Sequence, residues 1–311
     1  MKEIVFCEGT PDSYSSDFDP SIFNLHAHRM LQSDTGWVSF HAVDNTDRKI
    51  LASVHFCLRS SDAWSPLRAP FGSVEFSDAL ATETLFEFLK FAESQLAQRG
   101  VRRMVIKNSP ENYSGRLPVV TTMLINLGYH VLDSEVAAGI PVTRAPLENS
   151  LHRSERRRLE RCKSEGLTFR QLPSRALDDI YGFIHSCRSE KNFNLSMTLD
   201  DMQRTIDQFP ERYLLFGLYD GRQLAAASIC IRVTKNILYD FYHDHSSSYD
   251  QYSPVVMLVN EIYHYCQRED VRLLDLGTSA ENGRPNFGLL HFKLLIGGRA
   301  SNKFTFEKHL R

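Results

Sequence analysis

Apolar residues recur along this chain in two rhythms, and their order of alternation predicts how the chain is organised. Val255, Leu258, Val259, Ile262 and Cys266 fall at i, i+3, i+4, i+7 and i+11, one face of a helix. Ser253 and Pro254 ahead of them predict a serine cap and a proline at the first helical position. Subtracting 170 from each position gives Leu85, Phe88, Leu89, Ala92 and Leu96, the same face again. The offset persists downstream. The runs 100–106 and 270–276 both read as strands, and 124–128 stands opposite 294–298 as helix ends closing on glycine. Upstream, Trp37–Asp44 resembles Tyr213–Asp220, and each leads through a polar turn into a second strand, at 50–58 and 224–233.

Both halves therefore read strand, turn, strand, helix, strand, helix, strand. So ordered a match predicts a duplicated domain of mixed α/β (α+β) class, not two unrelated units. Pro141 and Pro146 interrupt the chain between the copies, which sets expected domains of 1–145 and 146–311. Residues 147–166 then predict a single helix ending on Gly166.

Composition narrows the class without naming a chemistry. The 311 residues are 42% hydrophobic and 24% charged, with a net charge of −2. That balance gives no global attraction to nucleic acid or an anionic membrane. The first eight residues read as a strand, not a signal peptide, and no run of eighteen apolar residues appears. The six cysteines form no C-x-x-C pair; Cys57 and Cys230 lie in strand-like runs and Cys266 on an apolar helix face. Buried, reduced thiols and a cytoplasmic location are the expectation. The pairs His26/His28 and His243/His245 lack a nearby third ligand, so no metal site is expected.

Three stretches carry a family resemblance: the basic run 151–166, Asp275-Leu276-Gly277-Thr278-Ser279, and 286–293 with its Phe292-Lys293 pair ahead of Gly297-Gly298. With the element order, they resemble tandem GNAT acyltransferases of the FemAB-like branch. The resemblance implies two GNAT-like domains, each a mixed, mostly antiparallel sheet flanked by helices. In each domain a central strand splays from its neighbour, and the next helix points its N-terminus at the donor's pyrophosphate. It implies transfer of an acyl group from an acyl thioester, with acyl-CoA as co-substrate, to a small-molecule or precursor amine. The family's glycine-spaced phosphate loop is absent, and Asp250-Gln251-Tyr252-Ser253-Pro254-Val255-Val256 stands in its place. Aminoacyl transfer to a cell-wall or nucleotide-linked precursor, or a non-catalytic binding protein on the same scaffold, are the alternatives.

Acyl transfer to an amine needs a base, a stabiliser for the oxyanion and a held donor. In 237–244, strict alternation puts Tyr239, Phe241 and His243 on one face and Asp240, Tyr242 and Asp244 on the other. Asp240 or His243 is the expected base and Tyr242 the expected acid. Tyr252, Ser253, Val255, Val256, Asn286 and Lys293 are the expected donor contacts. Arg68, Phe71, Tyr113, Arg157, Arg161 and Asp275 are the expected substrate contacts. Arg153, Arg157 and Arg161 align at intervals of four, but no aromatic residue interleaves them, which argues against a single-stranded nucleic-acid platform.

Overall fold

A computed structural model describes residues 3–281 and 283–310. The chain forms β1 (Ile4–Glu8), β2 (Ser15–Ser16), α1 (His26–Gln32), β3 (Trp37–Asp44), β4 (Lys49–Arg59), β5 (Asp62–Ser65), β6 (Glu75–Phe76), α2 (Thr82–Gln98), β7 (Arg103–Lys107), α3 (Leu117–Asn126) and β8 (His130–Pro141). There follow α4 (Arg153–Ser164), β9 (Thr168–Leu172), α5 (Leu177–Glu190), α6 (Leu199–Gln208), β10 (Tyr213–Asp220), β11 (Gln223–Thr234) and β12 (Ile237–His245). The last elements are α7 (Val255–Arg268), β13 (Leu273–Thr278), β14 (Ala280–Glu281), β15 (Arg284–Pro285), α8 (Phe287–Leu295) and β16 (Arg299–His309).

The helices predicted by periodicity are present at their common offset, and so are the strands that follow them. Both α3 and α8 end against a glycine in the left-handed region, Gly128 and Gly297. One expected helix is shorter. Residues 147–149 make a single 3-10 turn, and α4 starts afresh at Arg153 with His152 as its cap.

Two compact units result: residues 3–135 with 302–310, and residues 136–281 with 283–301. The sequence places the join at 145/146, whereas in space the division falls ten residues earlier and residues 302–310 lie with the first unit. In that unit β1, β3, β4, β5, β7 and β16 are successive sheet neighbours, and β5 runs parallel to β7. Thr305–His309 of β16 pair antiparallel with β7, and Phe306 is fully buried in the core with Phe40, Phe56, Leu85, Phe88 and Leu96. In the second unit the order is β8, β13, β12, β11, β10, β9, with β12 parallel to β13. Its core joins Phe216, Leu238, Val256, Leu258, Ile262 and Leu274. Each repeat's closing strand therefore completes the sheet of the other repeat.

Glu75 sits in the first unit beside Ser21 and Asn24. It accepts from Ser21 N at 2.7 Å, while its other oxygen is buried without a hydrogen bond. Burial raises its carboxyl to about 7, a shift that the Ser21 and Asn24 hydrogen bonds oppose and the nearby Asp19 reinforces. A raised carboxyl pKa favours the fold fully below the unfolded value, and that advantage disappears as pH rises through the folded one. Glu75→Gln is therefore expected to stabilise the protein at pH 8 by roughly 2 kcal/mol and to change little at pH 4, as read by urea unfolding at both pH values.

Candidate active site

β12 and β13 pair through only three residues each: Ile237, Leu238 and Tyr239 against Leu273, Leu274 and Asp275. Beyond Tyr239 no strand among the described residues pairs with β12 on that side, so the sheet opens there. β13 bends at the same level. Gly277 takes φ +73° and its N–H reaches Asp275 Oδ1 at 2.8 Å. A Cβ at Gly277 would stand 3.1 Å from the Tyr239 ring, so both its conformation and its space call for glycine.

On the other edge of β12, the pairing with β11 slips. Ile229 faces Tyr242 but Cys230 faces Asp240, which leaves Phe241 as the extra residue of a β-bulge. Cross-strand partners share a face. The bulge therefore brings His243, opposite Ser228, onto the same face as Asp240, opposite Cys230.

Asp240 is 3% exposed. Ser228 Oγ donates to its Oδ1 at 2.6 Å, and His243 Nδ1 stands 2.7 Å from its Oδ2. Burial pushes the carboxyl upward, but His243, the Ser228 hydroxyl and Lys293 outweigh it and hold the group below its ordinary value. Lys293, also 3% exposed, comes in from α8 and donates to Gly277 O at 3.0 Å and Thr278 O at 2.7 Å. Gly298 keeps this arrangement tight: a Cβ there would fall 2.5 Å from Lys293 O. A carboxylate, an imidazole and an ammonium thus converge where the two parallel strands part.

Strict alternation is corrected at Tyr242, because the bulge sends it to the opposite face of β12 from Asp240. Its hydroxyl accepts from Ser196 N at 2.9 Å and Met197 N at 3.0 Å, and Arg188 lies over its ring. Asp244 meets Lys191 at 2.6 Å, while His245 Nε2 meets Asp250 at 2.8 Å. The serine cap is corrected as well. Ser253 has φ +51°, Pro254 holds the capping position, and no side chain caps α7.

The remaining expected contacts scatter. Val255 and Val256 are core side chains, so only their backbone faces the start of α7. Arg161 of α4 lies over the Tyr252 ring at 4.8 Å, and Cys162 Sγ donates to Tyr252 O at 3.2 Å. Asn286 caps α8 by accepting from Leu289 N at 2.9 Å. Asp275 is buried at the bend of β13, and Arg157 is exposed on α4. In the first unit, Arg68 clamps the end of α1 through Gln32 O and Leu31 O. Phe71 packs edge-on against Phe23 and Tyr113. Ser228 escaped the sequence reading. Its trace was a lone hydroxyl inside the apolar run of β11.

A splayed parallel pair, a helix starting beside the gap and polar side chains at the parting point define an acyltransferase-type fold. Residues 151–293 match the acetyltransferase (GNAT) domain family, a span bounded by the basic helix and the Phe292-Lys293 pair. No curated protein matches the sequence. Among solved structures, FemX is similar with a TM-score of 0.72 and 13% identity, over 94% of each chain. L-PGS from Bacillus licheniformis is similar at 0.57 and 11% identity, covering 93% of this chain and 88% of that one. The tandem GNAT protein from the clavulanic acid biosynthesis pathway gives 0.52 and 8% identity, over 99% and 98%. The chain has a GNAT/FemAB-like acyltransferase fold, a mixed sheet flanked by helices.

Proposed function

We propose that the chain is an N-acyltransferase whose second unit holds the donor and carries the chemistry. The observation that supports this most is the pairing of buried Asp240 with the half-buried His243, beside Lys293 at the parting of β12 and β13. Asp240 fixes the imidazole through Nδ1, which leaves Nε2 to accept the proton of an attacking amine. Lys293 offers a preorganised positive charge to the oxyanion that forms as nitrogen adds to the acyl carbon. As the carbon–sulfur bond breaks, His243 returns its proton to the departing thiolate. Tyr242 takes no part, because it points to the other face.

The first repeat has no equivalent set. Its central strand β5 is four residues long and stops at Pro66, so nothing corresponds to Asp240 or His243. For the donor's phosphates, the first-turn N–H groups of α7 and the Arg161 guanidinium beside Tyr252 form a fitting set. The Asp250 carboxylate next to them is engaged by His245. The acyl thioester is the first donor to test. A second reading, an aminoacyl donor, is favoured by the absence of glycine spacing in the loop 250–256. The loop before α7 already gives its Gln251 and Tyr252 carbonyls to Arg161 and Cys162 of α4.

Acetyl-CoA, a longer acyl-CoA or free CoA is expected to raise the melting temperature of the purified protein by mass action. His243→Ala should keep that shift while losing amine-dependent thiol release. No shift at millimolar ligand would overturn the thioester reading in favour of the aminoacyl donor.

A further inference from the structure

The first unit buries a cation for which it supplies no counter-charge. Arg29 on α1 is 5% exposed, and no carboxylate among the described residues lies within ion-pair distance of it. Its guanidinium donates to Ser39 Oγ at 2.8 Å and lies over the Trp37 ring at 5.6 Å, while Nε is buried without a hydrogen bond. Burying a charge without a partner is among the most unfavourable things a fold can do.

Its serine and histidine neighbours add no negative charge. Ser39 and His55 are cross-strand partners on β3 and β4, as are His41 and Ser53, so all four share the face that carries Arg29. His55 Nδ1 meets Ser39 Oγ at 2.8 Å, and His41 Nδ1 meets Ser53 Oγ at 2.8 Å. Arg29 already donates to Ser39, which frees that hydroxyl's proton for His55 Nδ1. The Ser53 hydroxyl can serve His41 Nδ1 in the same way. Both rings then carry their N–H on Nε2. His41 Nε2 is buried and unpaired. Burial and the charge of Arg29 lower both imidazoles, His41 to about 4, so both are neutral near pH 7. Glu75, beside Ser53 on β6, is turned toward Ser21 and Asn24 and does not pair with Arg29.

We propose that this cluster is an oxyanion-binding site, in which Arg29 and the Nε2 groups of His41 and His55 hold a carboxylate or phosphate group of a small ligand. A planar fork of donors suits either group, and neutral imidazoles add hydrogen bonds without adding charge. Trp37 and Ser39 are the half-buried members of the cluster. The site lies within the first unit and stands apart from the acyl-transfer reading, so either can fail alone.

The test is a titration of the full chain, labelled with ¹⁵N-arginine, with inorganic phosphate and with acetate at constant ionic strength. The expected result is one Arg Nε–H resonance that shifts saturably, with a matching rise in melting temperature. That resonance should be missing in Arg29→Met, and the affinity should fall by about tenfold or more. Saturation by phosphate alone or by acetate alone identifies which group the ligand carries. If Arg29→Met is unstable, Arg29→Lys keeps the charge but loses the fork, and it should bind weakly with the same fold. The proposal is overturned if the wild type shows no saturable response to either anion. It is equally overturned if an Arg29 variant responds as the wild type does.

Discussion

Replacing Lys293 with methionine is expected to lower turnover by about 10²–10³-fold while leaving donor binding within a few-fold of wild type. The asymmetry follows from where the ammonium is held. Gly277 O and Thr278 O fix it at the bend of β13, so it is aimed before any charge develops on the substrate. A ground-state thioester presents little charge to it, whereas the tetrahedral oxyanion presents a full one, so the loss appears in kcat more than in KM. Methionine has nearly the same stem and fills the space, but it leaves two carbonyls without a donor, which costs about 1–3 kcal/mol. Arginine should not rescue, because its fork is wider than the slot between two adjacent carbonyls. A second consequence is electrostatic. Lys293 helps hold Asp240 ionised, so the pKa of Asp240 should rise in the variant. Thiol release with saturating amine, alongside the thermal shift with the same thioester, checks both parts. Unchanged turnover would remove Lys293 from the chemistry.

The face assignments on β12 show where sequence reasoning reaches and where it stops. Period-two alternation singles out β12 and its polar residues, but it assigns Asp240 and His243 to opposite faces, whereas in the fold they share one. One bulged residue, Phe241, reversed that. Nothing local marks the bulge, because it arises from the mismatch in pairing between β11 and β12. Ser253 failed for a related reason. A serine before a proline is a good cap only with extended backbone, and φ +51° turns its hydroxyl away from the first turn. The 170-residue repeat, by contrast, was legible because helix periodicity is a local property that each copy preserves. The Arg29 cluster was invisible for the opposite reason. Arg29, His41 and His55 sit on three elements, and only the fold shows that no acid accompanies them.

Replacing Phe306 with alanine is expected to destabilise the first unit by about 3–5 kcal/mol, although the residue lies at the far end of the chain from the rest of that unit. Phe306 is fully buried, packs beside Phe304 and joins the core built by Phe40, Phe56 and Phe88. Its strand also supplies the outer partner of β7, with Phe306 opposite Ile106. Truncation after Ser301 goes further, since it removes β16 from Asn302 onward and leaves β7 with an open edge and a gap in its core. The unit should then fail to fold cooperatively, even though residues 1–135 are all present. Urea unfolding followed at Trp37 and Trp64, both in the first unit, reports this unit alone. A truncated chain that unfolds with the wild-type midpoint would show that the exchanged strand adds nothing. The exchange has a consequence for the duplication itself. Once each repeat's last strand completes the other's sheet, neither copy can be shed or replaced without exposing a β-edge in its partner. A first repeat with a shortened β5 and no equivalent of Asp240 is thereby kept by the architecture, independently of any chemistry it performs.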